Sequence, residues 1–146
     1  MRIKRLGCYA GVAAATSLSG FLLHVLDVDV FSRWLAGEAA AMSYSWSITL
    51  LAAATSLESG VALVCVYRLL YDKLPAGGVW RRGLLVAALG LATQGRLLRS
   101  LVMNLAVGGW HAETLLAAGR PWLVWLAMGL TLAAGYERLI ARRASL

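Results

Sequence analysis

The chain has few of the residues that enzymes use for chemistry. Its 146 residues include 7 acidic residues, 2 histidines, 2 cysteines and 2 prolines. Cys8 and Cys65 lie inside separate apolar runs and not at CxxC spacing, so the sequence indicates neither a zinc site nor a redox pair. A glycine-rich phosphate loop and a serine beside a base and an orienting group are also missing. These absences argue against an enzyme without excluding one.

Apolar residues are abundant instead. They make up 60% of the chain and the mean hydropathy is +0.71, whereas soluble proteins have about 45–50% apolar residues. Four stretches reach the roughly 20 residues needed to cross a hydrocarbon core about 30 Å thick. They are residues 6–26, 47–71, 83–107 and 121–141. Because a bilayer offers no water to an unpaired backbone group, the sequence predicts an all-α membrane protein, a compact antiparallel bundle of four transmembrane helices in one domain.

The basic residues predict the orientation of this bundle. The net charge is +7, but these residues gather at the ends of the apolar runs and form no face interleaved with aromatics, so we expect no nucleic-acid partner. By the positive-inside rule, both termini are expected in the cytoplasm of a bacterial cell, with the chain crossing the inner membrane several times. The residues on the predicted cytoplasmic side are Arg2, Lys4, Arg5, Arg68, Lys73, Arg81, Arg82, Arg138, Arg142 and Arg143.

The connections between the spans add three expectations. The short link "DKLPAGGVWRR" predicts that the second and third spans form an antiparallel hairpin and are neighbours. After the first span, Asp29 can cap a short interfacial helix whose apolar stripe begins with Phe31 and Trp34. Pro121 suits the first turn of the fourth span.

Charged residues inside the spans are the first candidate site, because charges at membrane depth usually mark function. Glu58 lies near the middle of the second span, and Arg96 and Arg99 lie at similar depth in the third. We expect Glu58 to pair with Arg96, within helix faces that also carry Thr55 and Ser100. The cluster could be a structural lock, a contact with a partner subunit, or a transport or ligand site.

A second group of polar residues lies at the predicted external ends of the first and third spans. His24 and Asp27 are about one turn apart at the end of the first span, and His111 and Glu113 follow the third. Two histidines and two carboxylates could bind a divalent metal, and the histidines could ligate haem if both faced one cavity. The spacing matches no specific metal motif, and interfacial histidines with ordinary hydrogen bonds are commoner. We therefore predict no cofactor.

Three functions remain as hypotheses. The leading one is a non-enzymatic subunit or accessory protein of a membrane complex, which contacts other transmembrane helices of a partner subunit or of a homo-oligomer. The second is an oligomeric transporter or channel that uses Glu58, Arg96 and Arg99. The third is a membrane redox subunit with haem or metal at His24 and His111. The almost complete lack of extramembrane mass favours the first hypothesis.

Overall fold

A computed structural model describes residues 2–31 and 45–141, and this part of the chain is helical, with no strand. The all-α prediction is therefore confirmed for the described residues. A π-helical turn over Leu26–Phe31 extends the first helix, and another over Glu137–Ala141 extends the last. The predicted interfacial helix after Asp29 falls mainly on residues 32–44, which lie outside the described residues. The helices are α1 (Arg2–Val25), α2 (Trp46–Leu70), α3 (Gly78–Thr93), α4 (Arg99–Gly108) and α5 (Ala112–Tyr136).

Three helices in the described part, and not the predicted four, are long and apolar enough to cross a membrane. They are α1, α2 with its 3-10 extension, and α5 with its π-helical extension. The prediction of a continuous third span was wrong, because the chain forms α3 of 16 residues and α4 of 10 residues instead. Gly95 lies between them with φ of 66°, a left-handed conformation that ends a right-handed helix and that glycine adopts at low cost.

The last helix begins earlier than its apolar run suggested. α5 starts at Ala112 and includes Pro121, which therefore does not lie in the first turn. A proline inside a helix removes one backbone hydrogen bond, but the preceding segment "AETLLAAG" consists largely of good helix formers. Glu113 in the first turn also interacts favourably with the helix dipole.

The helices pack in a different order from the predicted one. α1 packs against α2 on one side and α5 on another, and α5 packs against α3 and α4. α2 and α3 are not a closely packed pair, so the prediction that they are neighbours was wrong. The connection over residues 71–77 explains the difference, because Leu74 is extended and a link of this length can reach roughly 20 Å, about two helix-to-helix distances.

Small residues allow the closest contacts in this bundle. A Cβ atom at Gly60 of α2 would overlap Ser17 Oγ and the Ala13 carbonyl of α1, so these two helices touch through their backbones. In the same way, a Cβ atom at Gly129 of α5 would overlap the Gly83 carbonyl of α3. Close approach of this kind is the usual way in which membrane helices gain packing energy. The buried residues that share the main core cluster are Val12, Ala13, Val64, Tyr67, Val86, Leu132, Ala133 and Tyr136.

Candidate functional site

Glu58 lies on a face of α2 that the described part of the chain does not cover. The residues that α2 buries are Gly60, Val64 and Tyr67, which follow helical spacing on one side. Glu58 is almost opposite this stripe and is exposed. We call the uncovered side the outer face of α2, and all of its members are exposed: Ser47, Leu51, Ala54, Thr55, Glu58, Ala62 and Cys65. The sequence predicted that Glu58 on this face pairs with Arg96 of the third span, but none of the described helices of the same chain covers the face.

Arg96 lies in the segment that interrupts the predicted third span. We call this segment, residues 94–98, the helix break. The Gly95 amide donates to the Ala92 carbonyl over 2.9 Å, and the Arg96 amide donates to the Leu91 carbonyl over 2.8 Å. Trp122 Nε1 of α5 donates to the Arg96 carbonyl over 3.1 Å, which ties the break to the central helix. The break is therefore a defined turn with its own hydrogen bonds.

The two arginines at this site point away from the rest of the described chain. Arg96 and Arg99 are both exposed, while Ser100, in the first turn of α4, is half-buried. No side chain of the described residues caps the amino terminus of α4. The backbone amides of its first turn therefore add partial positive charge beside the two guanidinium groups.

The predicted pair of Glu58 and Arg96 does not form within one chain. In the described part, the ion pairs are Arg82 with Glu137 and Arg120 with Asp27. α1 and α5 lie between α2 and the helices that flank the break, so the acid and the arginines belong to different sides of the bundle. Thr55 is also satisfied locally, because its hydroxyl donates to the carbonyls of Leu51 and Ala52.

The four residues of the possible metal or haem site are not gathered either. Across residues 2–31 and 45–141, no group of three or more histidine, cysteine or acidic side chains is placed to hold a metal ion. His24, His111 and Glu113 are exposed, and Asp27 is half-buried. Asp27 Oδ1 lies 3.2 Å from Arg120 Nε, so this carboxylate joins the end of α1 to α5. The sequence analysis did not identify Arg120 as its partner.

The sequence analysis also missed a tyrosine cluster, which consists of Tyr9, Tyr67, Tyr71 and Tyr136. The rings of Tyr67 and Tyr71 both lie 5.0 Å from that of Tyr136, and the ring of Tyr9 lies 6.1 Å from it. Arg82 lies 4.4 Å above the Tyr71 ring, and its Nη1 donates to Glu137 Oε1 over 3.0 Å. The cluster thereby joins α1, α2, α3 and the end of α5.

A signal for this cluster was present in the sequence. Each tyrosine lies in the apolar runs close to the arginine-rich ends, where aromatic side chains often mark a membrane interface. Ring contacts and the ion pair of Arg82 with Glu137 join these elements, so the cluster is a packing feature of the bundle. Among the described residues, the charges on the outer face of α2 and at the helix break have no ion-pair partner, and these two surfaces are the candidate functional site.

Comparison with known proteins adds no relative to this description: no protein-family model, no curated protein and no solved structure matches the chain.

Proposed function

We propose that the chain is a multi-pass membrane protein, in the inner membrane of a bacterium, that serves as a non-enzymatic subunit of a membrane complex. The observation that carries this proposal is the outer face of α2, which the described chain leaves uncovered and which has a carboxylate near its middle. A charged side chain facing lipid at this depth costs roughly 2.5–3.5 kcal/mol on insertion scales. A protein partner that pairs with Glu58 removes that cost.

The composition of the face supports a helix as the partner. Ala54, Thr55 and Ala62 are small, and small residues let a second helix approach closely, as Gly60 does on the opposite side of α2. Thr55 has already satisfied its hydroxyl within α2, so it offers a smooth surface without an unpaired donor. The outer face therefore shares small residues with the packed face of the same helix, but it adds the charge of Glu58 and lacks a neighbour among the described helices.

Transport remains the second candidate function, because Glu58 is an ionisable residue inside a helix long and apolar enough to cross a membrane, and Arg96 and Arg99 are exposed at the helix break. In one chain these residues form no ion pair with one another and lie on different sides of the bundle. A transport site built from them therefore requires more than one chain. Flux through proteoliposomes tests this candidate, and loss of flux in Glu58→Gln with normal folding supports it.

Photo-crosslinking in native membranes tests the proposed subunit role. A photoreactive amino acid replaces Ala62 on the outer face of α2, and the matched control replaces Leu22, which is exposed on α1. We expect irradiation of the Ala62 variant to give a discrete protein adduct as its main product, and the Leu22 variant to label lipid. Labelling of lipid alone from Ala62 would contradict the proposal.

A further inference from the structure

Basic side chains collect around the tyrosine cluster at one end of the bundle, which we call the basic end. Arg68 lies 5.3 Å from the centre of the Tyr9 ring, and Arg82 lies 4.4 Å from that of Tyr71. The ion pair of Arg82 with Glu137 brings the extension of α5 to the same end. The exposed basic residues there are Arg68, Lys73, Arg81 and Arg138.

The acids of the basic end do not neutralise these residues. Glu137 already pairs with Arg82, and Asp72 is the other acid that the described part of the chain has there. Among the described residues, none of the four exposed basic side chains forms an ion pair. Arg81 Nη1 donates only over 3.4 Å, to the Ala76 carbonyl. The basic end therefore has an excess of positive charge that an anion from outside the described chain can compensate.

Each exposed arginine of the basic end has a large exposed apolar residue beside it in the sequence. Leu69 is 80% exposed and Trp80 is 72% exposed. A nucleic acid or an acidic protein surface would neutralise the arginines but offer nothing to these apolar side chains. An anionic phospholipid offers both an anionic head group and acyl chains, and tryptophan favours the boundary between the two. The pairs are Arg68 with Leu69 on α2, Arg81 with Trp80 on α3, and Arg138 with Leu139 on the extension of α5.

We propose that the basic end binds anionic phospholipids in preference to zwitterionic ones. This inference rests on the membrane location in the proposed function and not on the partner subunit. The exposed arginines donate to the head-group phosphates, while the acyl chains cover Leu69 and Trp80. A zwitterionic lipid has the same phosphate, but its own cation competes with the arginines. Basic clusters beside membrane helices attract anionic head groups for this reason.

Quenching of tryptophan fluorescence by brominated lipids tests this preference. The full chain is reconstituted into an equimolar mixture of phosphatidylcholine and phosphatidylglycerol, with bromine on the acyl chains of one lipid or of the other. The difference between the wild type and Trp80→Phe isolates the signal of Trp80. We expect brominated phosphatidylglycerol to quench this signal at least about threefold more effectively than brominated phosphatidylcholine.

Trp46 is the matched control for Trp80. It is 82% exposed at the start of α2, and no basic residue lies between Arg33 and Arg68 in the sequence. The difference between the wild type and Trp46→Phe isolates its signal. The two brominated lipids should quench Trp46 equally, because no cation enriches the anionic lipid beside it.

Charge variants show whether the arginines cause the preference. Arg68→Gln, Arg81→Gln and Arg138→Gln combined should make the two lipids quench Trp80 equally, whereas the same three positions changed to lysine should keep most of the preference. If the glutamine variant loses its helical circular dichroism, Arg81→Gln alone replaces it and should lower the quenching ratio at least about 1.5-fold. An unchanged ratio in the folded glutamine variant would overturn the proposal.

The outcomes separate this proposal from the proposed function. Equal quenching of Trp80 by the two lipids in the wild type would refute the anionic preference but keep the membrane location. Quenching of Trp46 by lipid, combined with quenching of Trp80 by aqueous iodide alone, would place the basic end in water and refute the lipid site, leaving an acidic protein or a nucleic acid as its partner. Quenching of both tryptophans by iodide alone would refute the membrane location as well.

Discussion

α2 and α5 are equally long but use their small residues differently. Both have 25 residues, yet 11% of the most apolar stretch of α2 is buried, against 24% in α5. α5 places Gly129 against α3 and Ala133 inside the core, so its small residues serve contacts within the chain. α2 uses Gly60 in that way but leaves Ala54 and Ala62 uncovered.

The comparison shows that apolarity and small-residue content do not distinguish a central helix from a peripheral one. What differs is whether a second helix of the same chain lies over the face. In a bilayer, both arrangements can be stable, because lipid covers an apolar face as well as another helix does. In the membrane setting proposed above, the charge of Glu58 makes the uncovered face of α2 costly.

The largest effect is expected at the contact between α5 and α3. Gly129→Leu introduces a side chain where even a Cβ atom overlaps the Gly83 carbonyl, so the helices must separate. We expect the free energy of unfolding to fall by about 3 kcal/mol, the upper part of the range for overpacked cores. Thermal unfolding in mild detergent, followed by circular dichroism, measures this change.

Gly11→Leu is the matched control for this substitution. Gly11 is a helical glycine of α1, and its Cβ position has no heavy atom of a neighbouring element within 4 Å in the described chain. Its replacement should leave stability unchanged or raise it slightly, because leucine is a better helix former than glycine. Equal losses in the two variants would mean that α5 is no more central than an open helix face.

The next effect concerns the ion pair that closes the tyrosine cluster. Glu137→Gln removes a charge-assisted hydrogen bond from Arg82, whose side chain is only 17% exposed. Hydrogen bonds to charged groups contribute about 1.5–3 kcal/mol, and we expect a loss of unfolding free energy in that range. Thermal unfolding in the same detergent measures it, with the exposed Asp72→Asn as the control.

A double-mutant cycle with Arg82→Gln identifies the source of that loss. Residues in direct contact give non-additive changes, so the double variant should lose clearly less than the two single losses combined. Strict additivity would indicate that Glu137 and Arg82 stabilise the bundle separately and not through their ion pair.

A smaller effect is expected at the helix break. Trp122→Phe keeps an aromatic ring but removes the Nε1 donor to the Arg96 carbonyl, a hydrogen bond of about 1 kcal/mol. Amide hydrogen exchange of residues 91–99 should accelerate roughly fivefold, the factor that corresponds to this energy. Trp110→Phe is the control, because Trp110 is exposed at 81%. Unchanged exchange in Trp122→Phe would mean that α5 does not hold the break.

The sequence predicted helices well where long apolar runs were enough to define them. It predicted α1, α2 and the last span, but it did not predict the break, because "TQGRLL" reads as helix unless the left-handed conformation of Gly95 is known. Helical spacing placed Thr55 and Glu58 on one face of the second span, and both are exposed in α2. It could not show which neighbour covers that side, since the order of helices depends on contacts between distant segments such as Gly60 with Ala13.

The smallest effect is expected on the outer face of α2. Ala54→Leu enlarges an exposed residue that no described part of the chain covers, so the monomer in dilute detergent should change its unfolding free energy by less than about 0.5 kcal/mol. Ala133→Leu on α5 is the matched comparison: Ala133 is 0% exposed, and overpacking there should cost about 1–3 kcal/mol. Thermal unfolding of both variants at the same low protein concentration measures the difference. A loss at Ala54 as large as that at Ala133 would show that another part of the chain already covers this face. An unchanged monomer, together with loss of the protein adduct from Ala62 in native membranes, would instead place the role of Ala54 in contacts between chains, which is where the open face of α2 departs from the closed face of α5.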